Sequence, residues 1–246
     1  MKTNKILSIK IITLFPQFIE SFVEVFGIVK RAIKLKLLKI QAINLREFGL
    51  DQRQTVDDRP YGGGVGMVLR PDVLLKAIAR AKGQGLRAKS RTILLTPQGK
   101  KFSQKDAHRL AKYDNLILIC GRYEGFDERI RQFVDEEISI GDYVLMGGEL
   151  PALVISETVM RLRPGILGKL ESTDNESFSE GILEYPQYTK PELLKIRDKR
   201  LGKRIKHLRV PKVLLTGHHK NISEWRNKEA EKRTKKRRPD LIQKSF

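Results

Sequence analysis

Residues Asn115 to Gly125 read NLILICGRYEG, a run of bulky apolar residues that ends in a turn with two glycines. Consecutive Leu and Ile residues are typical of a strand that is buried on both faces of a sheet. Similar apolar stretches occur elsewhere in the first half of the chain, and amphipathic stretches separate them. The pattern predicts an α/β domain of layered strands and helices, with further strands at Ile6–Leu14, Leu38–Ile43 and Thr92–Leu95.

Helix signals alternate with these strands. Pro71 stands where a helix would begin, and apolar residues follow it at helical spacing, namely Val73, Leu74, Ile78 and Ala81. Ser103 can cap a second helix, because Asp106 lies three residues further on in a form of the capping box. A third helix is predicted over Leu150–Met160, before the Pro164-Gly165 pair.

The chain is strongly basic: it has 49 Lys and Arg against 29 Asp and Glu, a formal charge of +20 and a pI near 10.1. Excess cation favours a polyanionic partner, because neutralised phosphates release their counterions. An anionic membrane surface is the alternative, but it needs a basic amphipathic helix with bulky apolar residues. With 7% aromatic residues the sequence offers no convincing one, so the composition favours nucleic acid.

The cysteine content and the N-terminus indicate the compartment. Cys120 is the single cysteine, which excludes an internal disulfide framework and a cysteine-based zinc cluster. Lys10 interrupts the first apolar run and no small-residue cleavage site follows it, which argues against a signal peptide. No 18 apolar residues run together, as a spanning helix would need. We expect a soluble, cytoplasmic protein in which Cys120 is a small core residue.

The composition changes in the last third of the chain. Residues Glu171–Glu180 are polar and lack apolar periodicity, as a linker would. Residues Lys190–Arg238 then carry 19 Lys or Arg against 5 acidic residues, which is about fourteen of the twenty net charges. Such a run is either a solvated surface or one face of a small helical domain. Interleaved apolar residues favour the domain, and they are Val213, Leu214, Leu215, Ile222 and Trp225.

Three glycine-bearing segments each follow a predicted strand, at Leu94–Gly99, Cys120–Gly125 and Ile138–Leu145. Ligands bind at the carboxyl ends of strands in open α/β sheets, and glycine lets the backbone approach a ligand closely. Each segment alone could be only a tight turn, but three together favour a site. None matches the dinucleotide fingerprint or the phosphate loop, so NAD and ATP sites lose support. A fourth stretch, DDRPYGGGVGM at Asp57–Met67, is a flexible connection or a loop that a ligand orders.

In this order, the segments closely resemble those of the bacterial tRNA (guanine-N1)-methyltransferases, from Ile11 to Leu241. The resemblance also rests on GGELP after the third segment, YTKP near the start of the basic region, and the late VPKVLL and WR, which begin at Gly147, Tyr188, Val210 and Trp225. It implies transfer of a methyl group from S-adenosylmethionine to N1 of the guanine 3′ of the anticodon, position 37 of tRNA. A homodimer with its active sites at the subunit interface, bound to the tRNA anticodon arm, is also implied.

The same resemblance implies the fold and the domains. The fold would be α/β, a trefoil-knotted domain of the SPOUT methyltransferase class with a small C-terminal helical domain. Composition could not show a knot, because true knots are rare exceptions in protein topology. The expected divisions are a cofactor-binding domain at 1–163, a linker at 164–180 and a basic tRNA-binding domain at 181–246. Residues Ile196–Arg209 resemble a basic insertion that the usual family pattern lacks.

Residue by residue, the resemblance assigns contacts with S-adenosylmethionine to the glycine-bearing segments, at Leu95, Thr96, Pro97, Gly99, Gly121, Tyr123, Glu124, Ile140, Gly141, Asp142, Tyr143, Val144, Leu145, Gly147 and Gly148. Contacts with tRNA are assigned to Asp57, Arg59, Ser177, Tyr188 and His219. Arg161 falls where the family has an arginine near the target base. No metal site is predicted, since no dense cluster of carboxylates is evident.

Glu176 stands where the family has its aspartate general base, directly before Ser177-Phe178. A carboxylate is suited to removing the N1 proton of guanine. The additional methylene moves that carboxylate by roughly an ångström, and a misplacement of this size can cost about a hundredfold in rate. Two alternatives therefore stay open: another SPOUT-class RNA methyltransferase, acting on ribose or ribosomal RNA, and a catalytically silent RNA-binding relative. Asp174 is a poorer replacement, because its spacing from Ser177 differs.

Overall fold

The computed structural model describes residues 5–83, 89–167, 177–178, 181–197 and 205–242. The chain divides into two compact units, Met1–Leu170 and Glu171–Phe246. The division falls inside the stretch 164–180, which the sequence analysis interprets as a linker.

The first unit is built on a five-stranded sheet in which every pairing is parallel, with the order β2-β1-β6-β5-β7. A separate antiparallel pair is formed by two short strands, β3 and β4. The strands are β1 (Leu7–Thr13), β2 (Leu38–Asn44), β3 (Asp57–Asp58), β4 (Val68–Leu69), β5 (Ser90–Lys101), β6 (Asn115–Cys120) and β7 (Glu136–Ser139). The helices are α1 (Pro16–Val25), α2 (Gly27–Lys34), α3 (Pro71–Lys82), α4 (Gln104–Leu110) and α5 (Glu149–Met160).

Strand β6 lies in the middle of the sheet and is buried on both faces. Leu116 and Leu118 point into one apolar cluster, with α1, α2, α4 and α5. Ile117 and Ile119 point into the other, with α3. Alternate side chains of a strand point to opposite faces, so an unbroken apolar run suits a strand covered on both sides. The α/β class predicted from this run is confirmed.

The predicted strands at Ile6–Leu14, Leu38–Ile43 and Asn115–Cys120 are confirmed, within one residue at each end. The strand predicted at Thr92–Leu95 is longer than expected, because β5 continues to Lys101. The first glycine-bearing segment is thus part of β5 rather than a loop after it. Pairing with β7 shifts register between Leu95 and Lys100. This irregularity accommodates the proline and glycine, which weaken regular strands.

The helix signals are also confirmed. Pro71 is the first residue of α3. Ser103 and Asp106 form a capping box at the start of α4, in which each side chain hydrogen bonds to the backbone of the other residue. The helix predicted over Leu150–Met160 begins one residue earlier, at Glu149, directly after the Gly147-Gly148 pair.

Glu136 at the start of β7 ties this strand to its neighbours. It accepts two hydrogen bonds from Arg109 of α4, of 3.0 and 2.7 Å, and one of 2.9 Å from Arg91 of β5. Burial raises the pKa of the Glu136 carboxyl, but the hydrogen bonds and charges of the two arginines outweigh it, so the pKa is lower than its ordinary value of 4.5. The ionised form is therefore stabilised in the folded state.

Glu136→Gln should lower the free energy of unfolding at neutral pH by about 1–2 kcal/mol, and the Tm by roughly 3–6 °C. A carboxyl whose pKa is lower in the folded than in the unfolded state stabilises the fold at every pH above its unfolded-state pKa. This stabilisation is lost as the pH falls through the folded-state pKa. The difference in Tm between parent and variant should therefore disappear at acidic pH. Thermal melts across pH test this, with Glu20→Gln on the exposed face of α1 as the control; a gap that persists in acid contradicts it.

The second unit contains an antiparallel hairpin, β8 (Leu193–Arg197) with β9 (Ile205–Arg209), and one long helix, α6 (His219–Arg237). The expectation of a purely helical domain is therefore wrong for the residues that form this hairpin. In the last part of α6, Ala230 and Thr234 are buried. The Thr234 hydroxyl accepts a hydrogen bond of 2.9 Å from the Leu183 backbone N–H, so the segment before the hairpin is tied to the helix.

Short 3₁₀ turns complete both units, at Leu45–Phe48, Glu128–Phe133, Lys212–Leu215 and Pro239–Leu241. Within the described ranges, none of the helices has the length and apolar character that crossing a membrane requires.

Candidate active site

A cavity of about 340 Å³ lies at the carboxyl ends of β6 and β7 and beside the second half of β5. Its volume is within the range of roughly 300–1,000 Å³ that is usual for small-molecule sites. All three glycine-bearing segments contribute to its wall, as ligand-binding loops do in α/β sheets. The lining residues are Leu95, Thr96, Pro97, Gln98, Gly121, Arg122, Tyr123, Glu124, Gly125, Phe126, Glu128, Arg131, Ile138, Ser139, Ile140, Gly141, Tyr143, Val144, Leu145, Met146, Gly147, Gly148 and Pro151.

The first segment forms one wall through Thr96, Pro97 and Gln98. The Gln98 side-chain oxygen accepts a hydrogen bond from Arg131, whose guanidinium also pairs with Glu128 at 2.7 Å. Gly99 does not line the cavity. A Cβ there would lie 2.5 Å from the Ile138 backbone nitrogen, so this glycine is needed for close packing of β5 on β7.

The second segment turns sharply after β6. Tyr123 has a φ of 57° and Gly125 a φ of 116°, both in the region that most side chains avoid. A Cβ at Gly121 would lie 2.9 Å from the Phe126 ring. The turn leaves the Tyr123 side chain half exposed at the cavity.

The third segment returns to the second. The Gly148 backbone N–H donates a hydrogen bond of 2.9 Å to the Gly121 carbonyl oxygen. A Cβ at Gly148 would lie only 2.6 Å from the Cys120 Cα. Tyr143, Val144 and Met146 are exposed between these ends. The segment is therefore fixed at the sheet while its middle is open to a ligand.

A buried ion pair lies behind the cavity. The Glu149 carboxylate accepts hydrogen bonds from the Thr13 hydroxyl at 2.7 Å and from Arg122 at 3.1 Å, and the closest nitrogen of Arg122 lies at 2.9 Å. Arg122 also donates to the Met146 carbonyl oxygen and stacks over the Phe15 ring, 4.3 Å from its centroid. Only 4% of the Glu149 side chain is exposed. The pair joins the second segment to the start of α5.

Sequence reasoning missed Arg122 and Glu149 as contributors to this site. Both stand next to glycines of the assigned set, but a pairing of residues 27 positions apart has no local signal. Removal of one partner of a buried ion pair is strongly destabilising, which makes both side chains structural supports of the cavity.

Cys120, at the end of β6, is fully enclosed. Burial, and next the nearby Glu149 carboxylate, raise the pKa of its thiol well above the ordinary value, so the reactive thiolate is scarce. We expect the folded protein to resist a thiol-specific disulfide reagent at pH 8 and to react once unfolded in guanidinium. Rapid labelling of folded protein would contradict this account.

The glycine loop of Asp57–Met67 ends beside the second segment. The Met67 carbonyl oxygen accepts a hydrogen bond of 3.0 Å from the Glu124 N–H, and the Leu69 N–H donates one of 3.0 Å to the Gly125 carbonyl oxygen. A Cβ at Gly66 would lie 2.5 Å from the Glu124 side chain. The loop therefore borders the cavity. Its tip is exposed, with Tyr61 at 100%.

Most of the residues assigned to the cofactor line this one cavity. The exceptions are Gly99, which packs on β7, and Asp142, whose exposed carboxylate pairs with Lys101 at 2.8 Å. The contact assigned to Asp142 finds no support in this geometry. Lining residues that sequence reasoning did not assign are Gln98, Arg122, Gly125, Phe126, Glu128, Arg131, Ile138, Ser139, Met146 and Pro151.

Arg161 lies away from this cavity. It caps the C-terminal end of α5, whereas Gly148 of the cavity caps the other end. A helix of 12 residues is roughly 18 Å long at 1.5 Å per residue. Arg161 is therefore not part of the wall of this cavity in its own chain.

The remaining assigned residues lie in the glycine loop and in the second unit. Asp57 is half-buried in β3 and Arg59 is exposed. The Ser177 hydroxyl accepts a hydrogen bond of 3.1 Å from the Glu184 N–H. The Tyr188 ring lies 6.3 Å from that of Trp225, and His219 is the exposed first residue of α6. Glu176 lies outside the described residues, so its proposed role as the base stays a prediction.

The lining of the cavity combines apolar side chains, among them Leu95, Ile138 and Pro151, with glycines of all three segments and a few polar side chains. Small-molecule and cofactor sites often have this mixed character. Among the described residues, no group of three or more His, Cys, Asp or Glu side chains is arranged to hold a metal ion.

Comparison with known proteins gives a concordant result. The family model described as "tRNA (Guanine-1)-methyltransferase TrmD" matches residues 7–244. A tRNA (guanine-N(1)-)-methyltransferase of Dictyoglomus turgidum is 48% identical over 239 residues, 97% of this chain and 91% of the relative. Proteins of the same name from Mycoplasmopsis synoviae and Bacillus subtilis are each 46% identical, over 96% of this chain and 97% and 92% of their own lengths. The chain belongs to the tRNA (guanine-1)-methyltransferase TrmD family.

Proposed function

We propose that this chain transfers a methyl group from S-adenosylmethionine to N1 of the guanine 3′ of the anticodon, position 37 of tRNA. One observation carries the proposal: the three glycine-bearing segments of the family pattern meet at one cavity, at the carboxyl ends of β6 and β7 and beside the second half of β5. The name of the relatives favours guanine N1 over ribose or ribosomal RNA. With a tRNA substrate, we expect the activity in the cytoplasm.

The cavity would hold the cofactor through its walls. Leu95, Ile138 and Pro151 would contact the adenosine part, and the backbone of the second and third segments would bind its polar groups. The sulfonium of the bound cofactor supplies the methyl group as an electrophile. The Arg122–Glu149 pair keeps both segments in place, and such positioning of the reacting groups is a large part of catalysis.

In the proposed fold these segments form a trefoil knot. The support is the close approach of the third segment to the second, where Gly148 hydrogen bonds to Gly121 and has no room for a side chain against Cys120. Glycine allows two stretches of backbone to approach this closely, as they would where the chain passes through a loop of its own.

Guanine N1 loses a proton as it gains the methyl group. Glu176 would take this proton as the general base. Arg161 would stabilise the negative charge that develops on guanine O6, as a preorganised cation does. Both roles are carried over from the family resemblance.

The position of Arg161 supports a homodimer. It lies a helix length from the cavity of its own chain, so a cavity and an Arg161 that act together would belong to different subunits. Apolar side chains on α1 and α5 are exposed, with Phe18 at 45% and Leu150 at 53%. Such surfaces mark protein interfaces. We place the second subunit on them, and the active site at the interface.

The anticodon arm would bind to the glycine loop, through Asp57 and Arg59, and to the basic second unit, through Ser177, Tyr188 and His219. The target base would be turned out of its stack, as base-modifying enzymes require.

Methyl transfer from labelled S-adenosylmethionine to tRNA transcripts tests this function. Two transcripts that differ only in guanine or adenine 3′ of the anticodon should differ in label by at least a hundredfold. Equal labelling of both would refute the position, and labelling of neither would favour a silent RNA-binding relative.

A further inference from the structure

The hairpin of β8 and β9 is a regular two-stranded ribbon within the basic region. Five residue pairs stand opposite each other, from Leu193 with Arg209 to Arg197 with Ile205. The Val210 N–H extends the ladder with a hydrogen bond of 3.0 Å to the Glu192 carbonyl oxygen. The ribbon therefore presents its side chains in a fixed order on two faces.

The register separates charge from apolar surface. Lys195 stands opposite His207, and Arg209 stands opposite Leu193 on the same face. We call Lys195, His207 and Arg209 the cationic face. The other face carries Leu194, Ile196 and Leu208, each about 40% exposed, with Lys206 as its cation among the described side chains.

Three cations of the hairpin have no carboxylate partner among the residues that the structure describes. Lys195, Arg209 and Lys206 are exposed, and in the part of the chain that the structure describes none of them forms an ion pair with a carboxylate. The Cβ atoms of Lys195 and His207, which stand opposite each other, lie about 5 Å apart. His207 and Arg209 are two residues apart on one strand, which separates them by roughly 7 Å. The cationic face is thus a compact patch of uncompensated charge, which attracts a polyanion.

We propose that the cationic face binds the phosphate backbone of the tRNA substrate, without reading its sequence. Phosphate contacts position a protein on nucleic acid, whereas base contacts specify the site, and this face carries no Phe, Tyr or Trp ring. Lys206 lies on the opposite face with Leu194, Ile196 and Leu208, so it is not part of the proposed contact. The inference rests on the proposed function in one respect: the polyanion is tRNA.

Binding of the full chain to a tRNA transcript, measured at several salt concentrations, tests this surface. Lys195→Gln and Lys206→Gln are a matched pair, because they remove the same charge from opposite faces of one hairpin. Lys195→Gln should reduce the slope of log affinity against log salt by about 0.7–0.9 and weaken binding roughly fivefold near 0.1 M salt. Lys206→Gln should leave the slope unchanged, and Lys195→Arg should retain the parent's slope.

Two results would overturn the inference: an unchanged slope in Lys195→Gln, or an equal reduction in both Gln variants, which would indicate a general charge effect. Methyl transfer at saturating tRNA separates this failure from that of the proposed function. If the parent protein methylates tRNA and the slopes do not respond, only the hairpin contact is wrong. If the parent neither binds nor methylates tRNA, the proposed function fails and the hairpin contact fails with it.

Discussion

Gly148→Ala is expected to weaken the binding of S-adenosylmethionine at least about a hundredfold. The φ and ψ of Gly148, −82° and −3°, suit alanine, so the effect comes from contact alone. The new methyl group would lie 2.6 Å from the Cys120 Cα and 2.8 Å from the Gly121 nitrogen. Backbone atoms cannot move aside as a flexible side chain does, so the second and third segments must separate. Both segments line the cavity, so their separation removes contacts with the cofactor; a hundredfold loss corresponds to about 2.8 kcal/mol of binding free energy.

Isothermal titration with S-adenosylmethionine measures this effect. Gly27→Ala at the start of α2 is the matched control, because its added Cβ meets no atom within 4 Å, and it should bind the cofactor as the parent does. Near-parental affinity in Gly148→Ala would contradict the placement of the cofactor between these segments.

Glu176→Gln is expected to lower the rate of methyl transfer by about 10²- to 10⁴-fold, the usual contribution of a general base. Glutamine keeps the size of the side chain but cannot take the N1 proton of guanine. The affinity for S-adenosylmethionine should not change, since the cavity belongs to the first unit. Single-turnover kinetics with saturating tRNA measure the rate. Asp174→Asn, two residues away, is the control and should keep the parent's rate.

Loss of activity in Asp174→Asn instead would assign the general base to Asp174.

Co-expression of the Gly148→Ala and Glu176→Gln variants tests whether each active site combines residues of two subunits. If each active site takes its cavity from one subunit and its base from the other, mixed dimers contain one intact site. The mixture should then recover about a quarter of the parental activity by random pairing. No recovery would place cavity and base in the same subunit.

The sheet could be predicted from the sequence where burial is complete. The unbroken apolar run from Leu116 to Cys120 predicts a buried strand, and β6 covers these residues. The extension of β5 through Pro97 and Gly99 could not be predicted, because both residues normally end a regular strand. The strand accommodates both residues because its pairing with β7 shifts register there, and this pairing between distant segments is not visible in the local sequence.

The hairpin of the second unit could not be predicted, because its apolar residues are outnumbered by Lys and Arg. Apolar and cationic residues alternate at Leu194, Lys195 and Ile196, but the dense Lys and Arg of the region indicate a solvated or helical surface. At the cavity, glycine positions identified the segments, whereas the Arg122–Glu149 pair emerges only when the segments meet in space. Local patterns thus located the walls of the site, and long-range contacts supplied their supports.

The chemical identity of the methylated nucleoside decides whether this chain transfers its methyl group to guanine N1. The protein is incubated with S-adenosylmethionine and a guanine-37 transcript, and the tRNA is digested and analysed by mass spectrometry against standards. We predict 1-methylguanosine, in an amount that approaches one per tRNA. A 2′-O-methylated nucleoside, or a methyl group on another atom of guanine, would contradict the assignment of this cavity to guanine-N1 transfer.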